Sequence, residues 1–264
     1  MNRNSMSGAI ARAVVSARPF VAVAIFAWAA AGPASASAAD GPAETAAKAQ
    51  AAFFARDAAA LSKLAAATAP WAKSSDPREL YAQAYVQFRV EQVATLEKRN
   101  DDVEAAGKAC VDATTAATGR DPRFAEAHAL QSSCYGYLAG LGGFGAIRNG
   151  SRSGKALEAA QAIAPKNPRV MLTDAFGLYA RPKIAGGDKV QACVKFREAA
   201  AAFDATPPTA ADTAAGIAWG APEAHYWVGR CAAEAGNAAA ARQAYEKALA
   251  LAPDFAAARK ALGR

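Results

Sequence analysis

Residues 222–253 read PEAHYWVGRCAAEAGNAAAARQAYEKALALAP and contain the clearest structural pattern of the sequence. It contains two short helical patterns, each with small residues along one side, joined at Gly236-Asn237 and ended by Pro253. Small side chains let two helices approach closely, and the larger residues around them fill the remaining space. A Gly-Asn dipeptide is a turn signal, and a proline ends a helix. The stretch therefore predicts a closely packed pair of antiparallel helices.

This pattern resembles the tetratricopeptide repeat, a helical pair that stacks against further pairs. The likeness is also good at residues 121–137, which open with Asp121-Pro122, and moderate at residues 165–204. It is weak before residue 100. The resemblance implies a scaffold that holds a partner.

Composition supports an all-α fold. The chain is 53% hydrophobic and 20% charged, and much of the apolar content is alanine, which favours helix. No convincing run of alternating β-branched residues suggests a strand. Composition thus predicts an all-α fold, and the resemblance implies that this fold is a right-handed α-solenoid of tetratricopeptide-like helical hairpins over residues 39–264. The predicted pairs lie near residues 43–67, 76–118, 121–164, 167–204 and 221–250, and a capping helix covers 254–262.

The array is expected to be irregular. Pro122, Pro165 and Pro253 close successive stretches at intervals of 43 and 88 residues, whereas the regular repeat has a period of roughly 34. We attribute the surplus to insertions at residues 139–153 and 205–220.

Residues 1–38 have the features of a secretory signal peptide. Arg3, Arg12 and Arg18 precede an apolar run from Pro19 to Ala31, and a series of small residues follows. An Ala-x-Ala series of this kind is a cleavage signal, most simply read after Ala38 or two residues earlier. An uncleaved membrane anchor is the alternative, although the apolar run is short for a bilayer. The chain is thus predicted to be periplasmic or secreted.

Removal of residues 1–38 lowers the formal charge from +7 to +4, because it takes three of 30 basic residues and none of 23 acidic ones. A mildly basic protein of this kind is not expected to bind nucleic acid. The membrane is expected to matter only for export.

The four cysteines predict two disulfides. An even number of cysteines in an exported protein favours disulfide bonds. Cys110 and Cys134 lie at similar distances from one helix connection, and Cys193 and Cys231 from another, so each pair is expected to lie side by side in antiparallel helices. A local motif, Glu-Ala-His-x5-Cys, also ends at both Cys134 and Cys231. The alternative is a metal site formed by the His and Cys of this motif, but positions i and i+6 project from different sides of a helix.

No catalytic motif fits. Residues 150–155 resemble a phosphate-binding loop only in part, because Asn149 and Ala156 stand where a glycine and a hydroxyl residue are needed. With two histidines in the chain, nucleophile systems of the Ser/His/Asp or Cys/His type have few ways to form. We therefore predict no enzymatic activity and no cofactor.

The resemblance places the partner on the first helix of each pair. It implies that six residues contact a partner: Arg169, Phe176, Tyr179, Glu223, Tyr226 and Arg230. Aromatic rings and guanidinium groups suit such binding, although the same rings could instead form the core between repeats. The glycine-rich segment around Phe144, with Arg148, Arg152 and Lys155 after it, is either a solvated loop or a binding lip.

Two functions follow from these features. The first is an exported protein-interaction scaffold that binds a peptide or protein segment of unknown identity on its concave face. The alternative is a carrier or accessory subunit that binds a small molecule for an envelope transport or enzyme system. An open groove would favour the first, and a deep pocket the second. The sequence does not predict the oligomeric state.

Overall fold

The computed structural model describes residues 40–264, and the predicted signal peptide lies outside them. All regular structure in this part of the chain is helical. The helices are α1 Pro42–Ala55, α2 Ala58–Thr68, α3 Pro77–Leu96, α4 Asn100–Arg120, α5 Ala125–Gly140, α6 Gly145–Ile163, α7 Pro168–Ala180, α8 Lys189–Ala205, α9 Ala210–Ala214, α10 Ala221–Glu234, α11 Ala238–Leu251 and α12 Ala256–Ala261, with 3-10 turns at Ala69–Lys73 and Lys183–Ala185.

Short polar side chains fix where many of these helices begin. An aspartate or asparagine before the first turn accepts a backbone N–H and so satisfies a donor that has no partner within the helix. The residues that do so are Asp57, Asp76, Asn167, Asp188 and Asn237. Proline follows at the first position of α3 and α7, where its missing N–H costs nothing.

The helices pack as five consecutive hairpins: α1 with α2, α3 with α4, α5 with α6, α7 with α8, and α10 with α11. Neighbouring hairpins contact each other, and α12 packs on α11. The predicted all-α helical-repeat solenoid is confirmed.

The predicted insertion at residues 139–153 is wrong in extent. Only residues 141–144 are outside helix, because α6 already begins at Gly145. The glycines and serines of its first half are poor helix formers, but packing against α5 compensates for them. The hydroxyl of Ser153 donates to the carbonyl of Ser132 on α5 at 2.8 Å. The second predicted insertion contains one short helix, α9, which starts with a capping box of Thr209 and Asp212.

Both predicted cysteine pairs are at disulfide distance. Cys110 of α4 lies opposite Cys134 of α5 with Cα atoms 6.2 Å apart, and Cys193 of α8 lies opposite Cys231 of α10 at 5.7 Å. Each bridge connects the second helix of one hairpin to the first helix of the next. The alternative, in which the cysteines hold a metal, does not describe this arrangement.

A buried polar cluster joins the first part of the array to the last. Arg89 of α3 donates to the carboxylate of Glu223 on α10, although the two residues are 134 positions apart. Their side chains are 1% and 8% exposed. From α1, the amide of Gln50 donates to Glu223 at 3.2 Å, and the ring of Phe53 lies 4.3 Å from the Arg89 guanidinium. We call Gln50, Phe53, Tyr85, Arg89 and Glu223 the closure cluster.

The phenol of Tyr85 completes the closure cluster, because it donates to Gln50 and accepts from Arg89. Burial of a charge is tolerated only where it is paired and hydrogen-bonded. Burial opposes the charge of Arg89, but Tyr85 and Glu223 outweigh that effect and hold its pKa above the usual value.

Phe54 of α1 also contacts Phe255, which precedes α12, with ring centroids 4.3 Å apart. The first and last hairpins are therefore in direct contact.

One acidic side chain is buried without any partner. Glu91 of α3 is fully buried, and neither of its carboxylate oxygens has a hydrogen bond. Gly107 on α4 makes room for it, because a Cβ at that position would lie 2.3 Å from the Glu91 carboxylate. Burial raises the pKa of Glu91 to about 9. The folded protein therefore holds this group as a neutral acid at physiological pH.

The unpartnered carboxyl group makes stability depend on pH. In the unfolded chain Glu91 ionises near its ordinary pKa of 4.5, whereas in the folded chain it keeps its proton to about 9. The folded state binds more protons in this window, so the free energy of unfolding falls as pH rises through it. We expect Glu91→Gln to raise the free energy of unfolding near neutral pH by about 1–3 kcal/mol and to have little effect at about pH 4, as measured by urea denaturation.

The matched control is Glu158→Gln, which changes an exposed carboxylate on α6. It should change neither stability nor its pH dependence. A Glu91→Gln variant that is less stable at every pH would contradict this account of the buried acid.

The disulfides should stabilise the stacking of neighbouring hairpins. Replacing Cys193 and Cys231 together by serine opens a loop of 38 residues, which in the chain-entropy model lowers the free energy of unfolding by about 3–4 kcal/mol. Reduction of both bridges in the unaltered protein should produce a larger loss, measured by the same denaturation. Peptide mapping without reductant that found free thiols, or pairs other than these two, would exclude the arrangement.

Candidate functional site

A group of partly exposed aromatic side chains lies between α7 and α10 and packs on the buried ring of Phe196. Trp227 of α10 is at its centre, with ring centroids 4.8 Å from Tyr179, 5.4 Å from Phe176 and 5.2 Å from Phe196 of α8. Tyr226 lies next to Trp227 at 6.1 Å. Pairs at these separations add stability beyond the area they bury. We call these five rings, together with Arg230, the aromatic cluster.

Charged groups lie at the edge of the aromatic cluster. The guanidinium of Arg230 lies 4.8 Å from the centre of the Trp227 ring, a favourable cation–π arrangement. It also contacts Glu234 at 3.3 Å, and the hydroxyl of Tyr179 donates to the same carboxylate at 2.6 Å. Partial burial and the nearby Glu234 raise the pKa of Tyr179, so its hydroxyl stays protonated and can donate.

The side chains of Arg230 and Glu234 are 40% and 43% exposed. The site therefore offers apolar ring surface beside both a cation and an anion. Such a surface can pack an apolar side chain of a partner while it pairs with polar or charged groups next to that side chain.

Helix periodicity explains why α10 contributes so much to this site. Tyr226, Trp227, Arg230 and Glu234 lie at spacings of three, four and seven residues along α10, so they share one side of the helix. The side of α10 that packs on α11 contains a small residue, Gly229. A Cβ on Gly229 would lie 2.6 Å from the ring of Tyr245, so only glycine lets α11 pack this closely.

The structure brings together four of the six residues predicted to bind a partner: Phe176, Tyr179, Tyr226 and Arg230. Glu223 and Arg169 lie elsewhere and are 6% and 4% exposed. Glu223 belongs to the closure cluster. The guanidinium of Arg169 lies 5.6 Å from the Phe203 ring and 5.9 Å from the Trp219 ring. Neither side chain is available to a partner in this structure, because side chains of the same chain cover both.

Trp219 is one of the side chains that cover Arg169. It is buried, its indole N–H donates to the hydroxyl of Tyr81 at 2.6 Å, and its ring stacks on Tyr85 at 5.9 Å. The loop that carries Trp219 is thereby packed back onto α3. The inner surface next to α3 is filled by the chain itself.

Sequence reasoning missed Trp227, Glu234 and Arg89. Trp227 is adjacent to Tyr226 in the sequence. To predict which of the two rings contacts a partner, one must know which side of α10 is exposed. Arg89 had a usable signal, because a charged residue in the apolar stretch of α3 indicates either exposure or a buried partner. The sequence near Arg89 does not predict its pairing with Glu223, because the two residues are 134 positions apart.

No catalytic arrangement is evident in this site, and among residues 40–264 no three His, Cys, Asp or Glu side chains lie close enough to hold a metal ion. Within the same residues, no helix combines the length and the apolar character needed to cross a membrane.

Comparison with known proteins identifies the repeat. A family model described as "Tetratricopeptide repeat" matches residues 222–255, the hairpin of α10 and α11 that carries half of the aromatic cluster. No curated protein matches the chain. Proteins of this family are generally non-catalytic scaffolds that mediate interactions between proteins. The hairpin of α10 and α11 is therefore a tetratricopeptide repeat, and it lies at the end of a stack of helical hairpins.

Proposed function

We propose that this protein is an exported, non-enzymatic scaffold that binds a segment of another protein at the aromatic cluster. The proposal rests on the partly exposed rings around Trp227, which have Arg230 and Glu234 at their edge. Within the closure cluster, by contrast, the charged side chains are buried and paired with each other. Ring surface that is exposed beside unburied charges is typical of the few residues that dominate an interface.

The chemistry of the cluster limits the partner. A side chain that packs on the rings of Tyr226 and Trp227 must be apolar. Arg230 pairs best with a carboxylate, because its planar guanidinium matches the geometry of that group. We therefore propose a protein segment with an apolar side chain close to an aspartate, a glutamate or a terminal carboxylate.

Export is supported by the two cysteine pairs at disulfide distance, because such bonds persist in oxidising compartments. The features of residues 1–38 agree with a periplasmic or secreted location.

A second candidate function, binding of a small molecule, is favoured by one cleft. This cleft of about 330 Å³ lies between α1, the loop before α10 and the turn before α12. Phe54 and Trp219 line it together with alanines of α1 and the glycine at 216, so it suits an apolar molecule of modest size. The aromatic cluster is the stronger candidate, since the ring surface there is accompanied by exposed charges.

The binding proposal predicts a strong effect of Arg230. Purified protein immobilised on a resin should retain a partner from the envelope fraction of the same cells, identified by mass spectrometry. The partner's affinity should fall by about tenfold or more for Arg230→Ala, as expected for a dominant interface residue. Titration calorimetry with the isolated partner measures the change, and circular dichroism checks that the variant is folded.

Arg197→Ala is the matched control, because Arg197 is an exposed arginine on α8 outside the aromatic cluster. It should bind as the unaltered protein does. Unchanged affinity of a folded Arg230→Ala variant, or an equal loss in Arg197→Ala, would refute binding at this cluster.

The export proposal predicts a specific mature end. After cell fractionation the protein should be found outside the cytoplasm, and intact-mass measurement should place its first residue at Ala39, or at Ser37 if the earlier site is used. Full-length chain in the cytoplasmic fraction would contradict export.

A further inference from the structure

Bulky apolar side chains are fully exposed at two connections of the array. Phe144 and Ile147 stand at the connection of α5 and α6 and are at least 87% exposed. Ile184 and Val190 stand at the connection of α7 and α8 and are at least 79% exposed. Exposed apolar residues in a group mark a surface that contacts something other than water.

The two connections lie on the same edge of the solenoid. Each joins the first helix of a hairpin to the second, and α5 packs directly on α7. The two first helices run in the same direction, because Asn167 at the start of α7 donates to Glu126 in the first turn of α5 at 2.6 Å. Their far ends, which carry the exposed side chains, therefore lie side by side.

Positive charge surrounds these side chains. Arg148 follows Ile147, Arg181 and Lys183 precede Ile184, and Lys189 precedes Val190; all four basic residues are exposed. Arg152 and Lys155 continue the series along α6. We call these apolar and basic residues the basic edge.

Negative charge is scarce in the same segments. The sequence contains no aspartate or glutamate from residue 127 to residue 157, and none between Asp174 and Asp188. Asp188 itself caps α8 by accepting from the backbone of Gln191. The charge of the basic edge is therefore not balanced locally.

We propose that the basic edge docks on the surface of an anionic lipid bilayer. The four apolar side chains lie in the two connections or in the helical turns that follow them, and each is at least 79% exposed. Such side chains can enter the interfacial region of a bilayer while the arginines and lysines pair with lipid phosphates. The glycines at 142 and 143, both with positive φ, place Phe144 at the tip of its connection. The basic edge adjoins the aromatic cluster, since the ammonium of Lys189 lies 4.9 Å from the centre of the Tyr179 ring. The two surfaces share no side chain, so this proposal extends the proposed function without depending on it.

The docking geometry has a functional consequence. The basic edge would hold the scaffold against the membrane and so place the adjoining aromatic cluster, between α7 and α10, close to the lipid surface. Docking of the folded protein on a bilayer differs from the prediction, made from the sequence, that the membrane matters only for export.

Vesicle co-sedimentation tests the proposal. Purified protein in its natural processing state is mixed with vesicles of phosphatidylglycerol and phosphatidylcholine in equal parts, or of phosphatidylcholine alone. We expect binding about tenfold stronger to the anionic vesicles, weakened by salt. The double variants Phe144→Ser/Ile184→Ser and Arg148→Gln/Lys183→Gln should each lose about tenfold in affinity for the anionic vesicles.

Two control variants match these changes away from the basic edge. Leu251→Ser alters another exposed apolar residue, and Arg120→Gln/Arg123→Gln removes two exposed arginines from the connection of α4 and α5. Both should bind anionic vesicles as the unaltered protein does. All proteins compared share the same N-terminal segment, so its contribution cancels.

Equal binding to both kinds of vesicle, or equal losses in the test and control variants, would overturn the proposal. So would a photo-crosslinking residue placed at position 144 that labels a protein and not lipid in intact cells. Any of these results would leave partner binding at the aromatic cluster untouched.

Discussion

The ion pair of Arg89 and Glu223 is the constraint on which the rest of the structure depends. Nearly all contacts in a solenoid are between neighbouring repeats, so distant repeats ordinarily do not affect one another. Here a buried charge pair joins the second hairpin to the fifth, and Gln50 and Phe53 bring the first hairpin into the same cluster. Because removing one member of a buried pair leaves an uncompensated charge, the cluster is satisfied only when these hairpins are together.

The contact between the first and last hairpins also determines which side chains stay exposed to a partner. The inner side of α3 is covered by Trp219 and by α1, and Glu223 is used within the chain. Six aromatic or charged side chains between α7 and α10 remain at least partly exposed and are proposed to bind a partner: Phe176, Tyr179, Tyr226, Trp227, Arg230 and Glu234. The side chains of Phe144 and Ile184 take no part in closure and are exposed, so they are free to contact a membrane.

The sequence predicted local structure well and long-range structure poorly. The helical pairs could be placed because Asp, Asn and Pro mark their starts, and the disulfides could be paired because equal distances from a turn imply adjacency. The start of α6 was missed, since packing of Ser153 on Ser132 overrides the low helix propensity of its glycines. Glu223 was assigned to a binding surface because its position in the repeat implies exposure. Only the fold brings Arg89, 134 residues away, against it.

Hydrogen–deuterium exchange of α1 tests closure most directly. A terminal helix held only by its neighbour frays and exchanges quickly, whereas a helix held by both neighbouring and distant hairpins opens only with the whole domain. The account predicts that the amides of Pro42–Ala55 and those of Ala221–Glu234 are equally protected and lose protection together as denaturant is added. Rapid exchange in α1 while α10 stays protected would show that the array is open and would contradict the account.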